Sequence, residues 1–132
     1  MAKKQDINSV KKPKIKKKYP IVNLYLHAGF NNSIVTLTNL QGQTIMWSSS
    51  GKAGFKGSKK STPFAAQKVT EEILDVVKTV EASSAHIIID GAGMGRDSFL
   101  RAIQNSDLQI ESIKDITGFP HGGAKPKNRR RV

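Results

Sequence analysis

The chain has 132 residues and no cysteine, and its 22 Lys and Arg outnumber 10 Asp and Glu for a formal net charge of +12. That length leaves room for one domain, and the missing thiols exclude disulfide frameworks and thiolate metal sites and fit a reducing compartment. No apolar run reaches the ~18 residues that a spanning helix needs, and the lysine-rich start has no apolar core of the kind a secretory signal carries.

The charge is unevenly placed. Residues 1–18 hold eight lysines and one aspartate, a net of +7; residues 119–132 hold two lysines, three arginines and no acid, a net of +5. Residues 19–118 carry nine basic and nine acidic groups and balance to zero. This predicts a basic disordered or extended tail over 1–18, an α/β globular body over 19–118 and a basic extended tail over 119–132. The tails bury too little apolar surface to offset chain entropy. Two tails of one sign point to a polyanionic partner; neither has an apolar face to insert into a membrane. The first tail lacks arginine and contains Asp6, unlike a cleaved mitochondrial presequence.

In chain order, IVNLYLHA (21–28), SIVTLTN (33–39) and TIMWSSS (44–50) read as three antiparallel strands joined by the turns GFNN and LQGQ. Thr62 offers a cap oxygen and Pro63 suits a first helical position, predicting a helix from there to about Ala82. Val69, Ile73, Val76, Val77 and Val80 recur at helical spacing, with Lys68, Glu71, Glu72, Asp75 and Lys78 mostly opposite as a solvated face. AHIIIDG (85–91) reads as an interior strand. A short helix from about Asp97 to Gln104 and a last strand, LQIESIKDI (108–116), complete the body. The order is βββαβαβ, a single mixed five-stranded sheet with helices crossing over it.

The stretch GKAGFKGSKKSTPFAAQ (51–67) holds the first candidate site. It is no P-loop, because Lys60–Ser61 follows Lys59 rather than a glycine and no glycine stands at the earlier required position. What remains is a glycine-rich arm bearing Lys52, Lys56, Lys59 and Lys60, with no acid from Gly51 to Val69. Glycines let a backbone approach closely and lysines neutralise phosphates without demanding one geometry. Phe55 could stack on a base or plug into the core.

GAGMGR (91–96) resembles a dinucleotide turn but spaces its glycines G-x-G-x-G, not G-x-G-x-x-G. Its place at a helix start still offers free amides beside Arg96 as a seat for a backbone phosphate, with Arg101 further along the same helix. His27, His86 and His121 show no metal-ligand spacing. A ribonuclease-H-like nuclease needs a carboxylate on its first strand, and IVNLYLHA has none. No cofactor is expected. The C-terminal run FPHGGAKPKNRRRV is held extended by Pro120 and Pro126 and allowed to bend by Gly122 and Gly123.

HAGFNNSIVTLTN, GKAGFKGSKKSTPFAAQ, GAGMGR, DIT followed by FPH, and the RRRV terminus together resemble the small-subunit ribosomal protein S-eleven family in its bacterial and organellar form. The likeness runs from about Tyr19 to Val132. It implies a ribonuclease-H-like fold without nuclease residues and a structural, non-enzymatic role on the small-subunit platform. There the family bridges small-subunit rRNA near the messenger-RNA cleft used in initiation. Implied partners are ribosomal proteins of the S-seven and S-eighteen families, messenger RNA and initiation factor three, with no membrane and no small-molecule substrate. The implied location is the bacterial cytoplasmic ribosome, or alternatively a mitochondrial or plastid one.

By motif position the RNA-binding residues are Asn31, Asn32, Lys52, Lys56, Lys59, Lys60 and Arg96. Arg101 joins them from the helix, and His121, Lys125, Lys127, Arg129, Arg130 and Arg131 from the tail. The chain departs from the family pattern where Ala92 replaces a proline and where His121-Gly122-Gly123-Ala124-Lys125 replaces H-N-G-C-R. Lysine at 125 trades a bidentate fork for a point charge.

Overall fold

A computed structural model of the chain describes residues 17–131. Apart from Lys17 and Lys18, the tail expected over 1–18 lies outside the described residues. The elements are β1 (Ile21–Ala28), β2 (Ser33–Thr38), β3 (Thr44–Ser49), a 3₁₀ turn (Gly57–Ser61), α1 (Pro63–Thr79), β4 (Ser84–Asp90), α2 (Gly95–Gln104) and β5 (Gln109–Asp115). The single domain and mixed five-stranded sheet are as expected, with spatial order β3-β2-β1-β4-β5. β2 runs antiparallel to both β1 and β3, while β4 and β5 continue parallel to β1.

Period-two alternation sorts the side chains. Val22, Leu24, Leu26 and Ala28 of β1, Val35 and Leu37 of β2, and Ala85, Ile87 and Ile89 of β4 are buried together on one face. Both helical crossovers advance in the same direction across the sheet, from β3 to β4 and from β4 to β5. One handedness therefore lays both helices on that face. All five apolar residues expected along the first helix are buried, as are Phe99 and Ile103 of α2. At ~1.5–3 kcal/mol for each large side chain, this stripe is what docks α1. Among the described residues no helix covers the opposite face, and register lines up Trp47, Thr36, Tyr25, Ile88 and Lys114 across it.

Three local features differ from the sequence reading. The first helix stops at Thr79, three residues early, because Glu81 takes a left-handed φ of 56° that a helix cannot continue through. The second begins at Gly95 rather than Asp97. Glu72 is half-buried rather than fully solvated, and accepts a 2.7 Å hydrogen bond from Ser48 Oγ that pins α1 to β3. Thr62 does cap α1, its Oγ1 accepting from the Ala65 amide.

The topology decides where the loops fall. β1, β3, β4 and β5 all finish at one end of the sheet, so the β1–β2 turn, the arm after β3, the glycine loop after β4 and the root of the C-terminal tail share that edge. Across five strands it measures ~19 Å. The N-terminal end enters at the other edge, where Tyr19 N donates to Val80 O at 3.1 Å and Lys18 pairs with Glu81 at 3.0 Å.

Candidate nucleic-acid interface

The arm is folded, not slack. Ser50 N donates to Ser33 O at 3.0 Å and Phe55 N to Ser50 O at 3.1 Å, anchoring its base to the start of β2. Gly57–Ser61 then closes a 3₁₀ turn, with Thr62 N donating to Lys59 O. Lys59 and Lys60 lie within the turn, about a third of a turn apart, and Lys56 is its extended N-cap. Phe55 is half-buried and meets Phe64 edge-on at 5.9 Å, so it braces the arm against α1 rather than plugging the core. No carboxylate among the described residues pairs with Lys52, Lys56, Lys59 or Lys60. Lys52 is nevertheless engaged: its Nζ donates to Trp47 O at 3.1 Å and lies 4.9 Å from the Trp47 ring centroid.

The glycine loop has a packing explanation. A Cβ on Gly91, whose φ is +92°, would stand 2.3 Å from Ala28 O, and one on Gly93 would stand 2.3 Å from Gly29 O. A Cβ on Gly95 would meet Ser33 Oγ at 2.7 Å and Ala66 Cβ at 2.8 Å. The G-x-G-x-G spacing thus seats the loop directly on the β1–β2 turn, and Gly93 N donates to Ala28 O at 2.8 Å across the join. In that turn Asn31 is exposed, while Asn32 is half-buried and its Oδ1 accepts from Ser33 N at 2.9 Å.

Arg96 is not a free cation. Its Nη2 donates to Asp115 Oδ2 at the end of β5, and Asp115 Oδ1 accepts from Thr117 N at 3.0 Å and Thr117 Oγ1 at 2.6 Å. Thr117 Oγ1 in turn accepts from Gly91 N at 3.1 Å. The Thr117 hydroxyl and amide, with the Arg96 guanidinium, hold the Asp115 carboxyl down at about 2. Sequence reasoning missed Asp115 and Thr117 as organisers of this edge; the available signal was the Asp-x-Thr spacing of a local side-chain turn. His27 Nδ1 and Asp90 Oδ2 lie 3.2 Å apart where β1 and β4 end.

Asn31, Asn32, Lys52, Lys56, Lys59, Lys60 and Arg96 therefore share one edge, and the tail springs from it. Residues 119–131 form no helix or strand and are exposed throughout, carrying His121, Lys125, Lys127, Arg129, Arg130 and Arg131 outward. Phe119 stacks edge-on against His121 at 4.7 Å. Arg101 is not part of the group: it lies down α2, rotated about 140° from Arg96 by helical geometry. Among the described residues no cluster of three or more His, Asp or Glu could hold a metal ion, and no helix is long and apolar enough to cross a membrane.

Fold and edge together define a two-layer α/β protein with one cationic rim. The family described as Ribosomal protein S11 matches residues 22–131. The small ribosomal subunit protein uS11 of Wigglesworthia glossinidia brevipalpis is 44% identical over 132 residues, covering all of both chains. The uS11 of Borreliella burgdorferi (strain ZS7) is 45% identical over 132 residues, again with full coverage of both. The uS11c of Chaetosphaeridium globosum is 47% identical over 119 residues, 90% of this chain and 92% of its own. The chain belongs to the ribosomal protein S11 family.

Proposed function

We propose that the chain is a structural, non-catalytic constituent of the small ribosomal subunit that binds and bridges its rRNA. The carrying observation is topological: four chain segments bearing the arm lysines, the Asn31–Asn32 turn, the glycine loop and the basic tail emerge along one edge, with no carboxylate paired to the arm among the described residues. The relatives' names support the subunit assignment. Bridging follows from the far edge, where Lys17 and Lys18 close the basic segment 1–18 and lead into β1. The eight residues of β1 separate the two edges by ~26 Å. RNA strands gripped at both ends are thereby held apart at that span.

In this reading the protein sits on the platform, close to the messenger-RNA cleft, beside proteins of the S-seven and S-eighteen families and within reach of messenger RNA and initiation factor three. The ribosome is bacterial or organellar. Sedimentation of lysate on a sucrose gradient tests the assignment. The chain should travel with small subunits through moderate salt, and a pool that stays free at physiological ionic strength would contradict it. A density map of that ribosome would test the platform position.

A further inference from the structure

The turn that presents Asn31 also presents Phe30, which is 80% exposed. A lone exposed aromatic is ordinary; the mounting of this one is not. From within, Gly29 N donates to Asn32 O and Ser33 N to Asn32 Oδ1, both at 2.9 Å. From outside, Gly91 and Gly93 press on the Ala28 and Gly29 backbone so closely that neither has room for a methyl group. Met94 follows directly on that contact and is 70% exposed. A large ring is thus held in water on a backbone clamped from two sides, where local reorganisation would gain little.

The surroundings select the occupant. The nearby acids Asp90 and Asp115 are each paired, with His27 and Arg96, and Asp97 lies in the first turn of α2. Through the bond from Ser50 to Ser33 the same rim continues into the arm with Lys56, Lys59 and Lys60. With the nearby acids paired and the arm cationic, the rim around the exposed Phe30 and Met94 favours a polyanion over a protein face. A nucleobase needs no more than a flat ring on which to stack, with cations nearby for its phosphates.

We propose that Phe30, with Met94 next to it along the rim, is a stacking platform for an unpaired base of the RNA whose phosphates the arm holds. This rests on the RNA-binding reading above. The test places p-benzoylphenylalanine at position 30 of the full chain, and in a parallel sample at position 59, and irradiates assembled small subunits. Crosslinks from position 30 to an unpaired rRNA nucleotide are expected. Crosslinks from 30 only to protein, or none, with 59 still reaching rRNA, would overturn the platform and leave RNA binding standing; silence at both positions would remove both. In solution, F30A should weaken binding to a small-subunit rRNA transcript by about five- to 150-fold with the salt slope unchanged, and F30Y should stay within about twofold. Equal affinity of F30A and the unaltered chain would also overturn it.

Discussion

Arg96 of α2 and Asp115 of β5 are joined by a 2.5 Å hydrogen-bonded ion pair, and Asp115 also receives both polar groups of Thr117. Nineteen residues apart in sequence, they tie the glycine loop to the point where the basic tail leaves the sheet. Arg96 consequently serves first to fix the edge, and only its remaining N–H groups are available to a phosphate.

That tie is pH-dependent. The Asp115 carboxyl falls from 3.8 to about 2 in the folded chain, so its ionised form is favoured by folding. The resulting stabilisation is fully present above the unfolded value and is lost as pH drops through about 2. Urea midpoints of the unaltered chain should exceed those of Asp115→Asn at pH 7, and the gap should narrow steadily from about pH 4 to pH 2. A gap as wide at pH 2 as at pH 7 would mean the carboxylate is not the cause.

Gly93→Ala should destabilise the body by about 1–3 kcal/mol, because its methyl group would drive into the Gly29 carbonyl. Gly118→Ala, where a Cβ meets nothing within 4 Å, should stay within about 0.5 kcal/mol. Thermal denaturation of the two variants checks both.

Lys59→Glu combined with Lys60→Glu should leave circular dichroism unchanged, since neither residue anchors the core, while impairing subunit assembly. Loss of two phosphate contacts should lower the salt slope of RNA binding by roughly 1.5. Lys52→Ala should matter less, because its ammonium already rests on Trp47. An unfolded double variant would show the arm to be structural instead.

Removing residues 119–132 deletes five cations. The body should melt unchanged, because among the described residues the hydrogen bonds that hold the tail root end at Thr117. The rRNA salt slope should fall by up to about four units, and unchanged affinity would show that the tail plays no part in binding.

The strands were legible in the sequence because inward residues such as Leu24, Leu26, Ile87 and Ile89 obey period two, and α1 because its valines obey helical spacing beneath a Thr-Pro start. What stayed hidden was contact between distant segments. GAGMGR looked like a ligand loop since spacing alone cannot reveal that Ala28 and Gly29 lie where its side chains would go. Arg96 looked free since its partner arrives with the final strand. Glu72 looked solvated because Ser48 approaches only once β3 packs beneath α1. The cationic residues themselves were readable, and their gathering on one rim came from the strand directions; Arg101 shows the limit, sharing a helix with Arg96 but not a side.

The chain enters the sheet at the start of β1 and leaves it at the opposite end through β5, and β4, which lies between them, runs parallel to both. A pull applied between the two ends is therefore directed lengthwise along β1, β4 and β5. Every rung of those two ladders shares the load in shear, and none can be peeled open first. A body built this way resists being drawn out by its ends, so a displacement at one end is transmitted through the domain with little give.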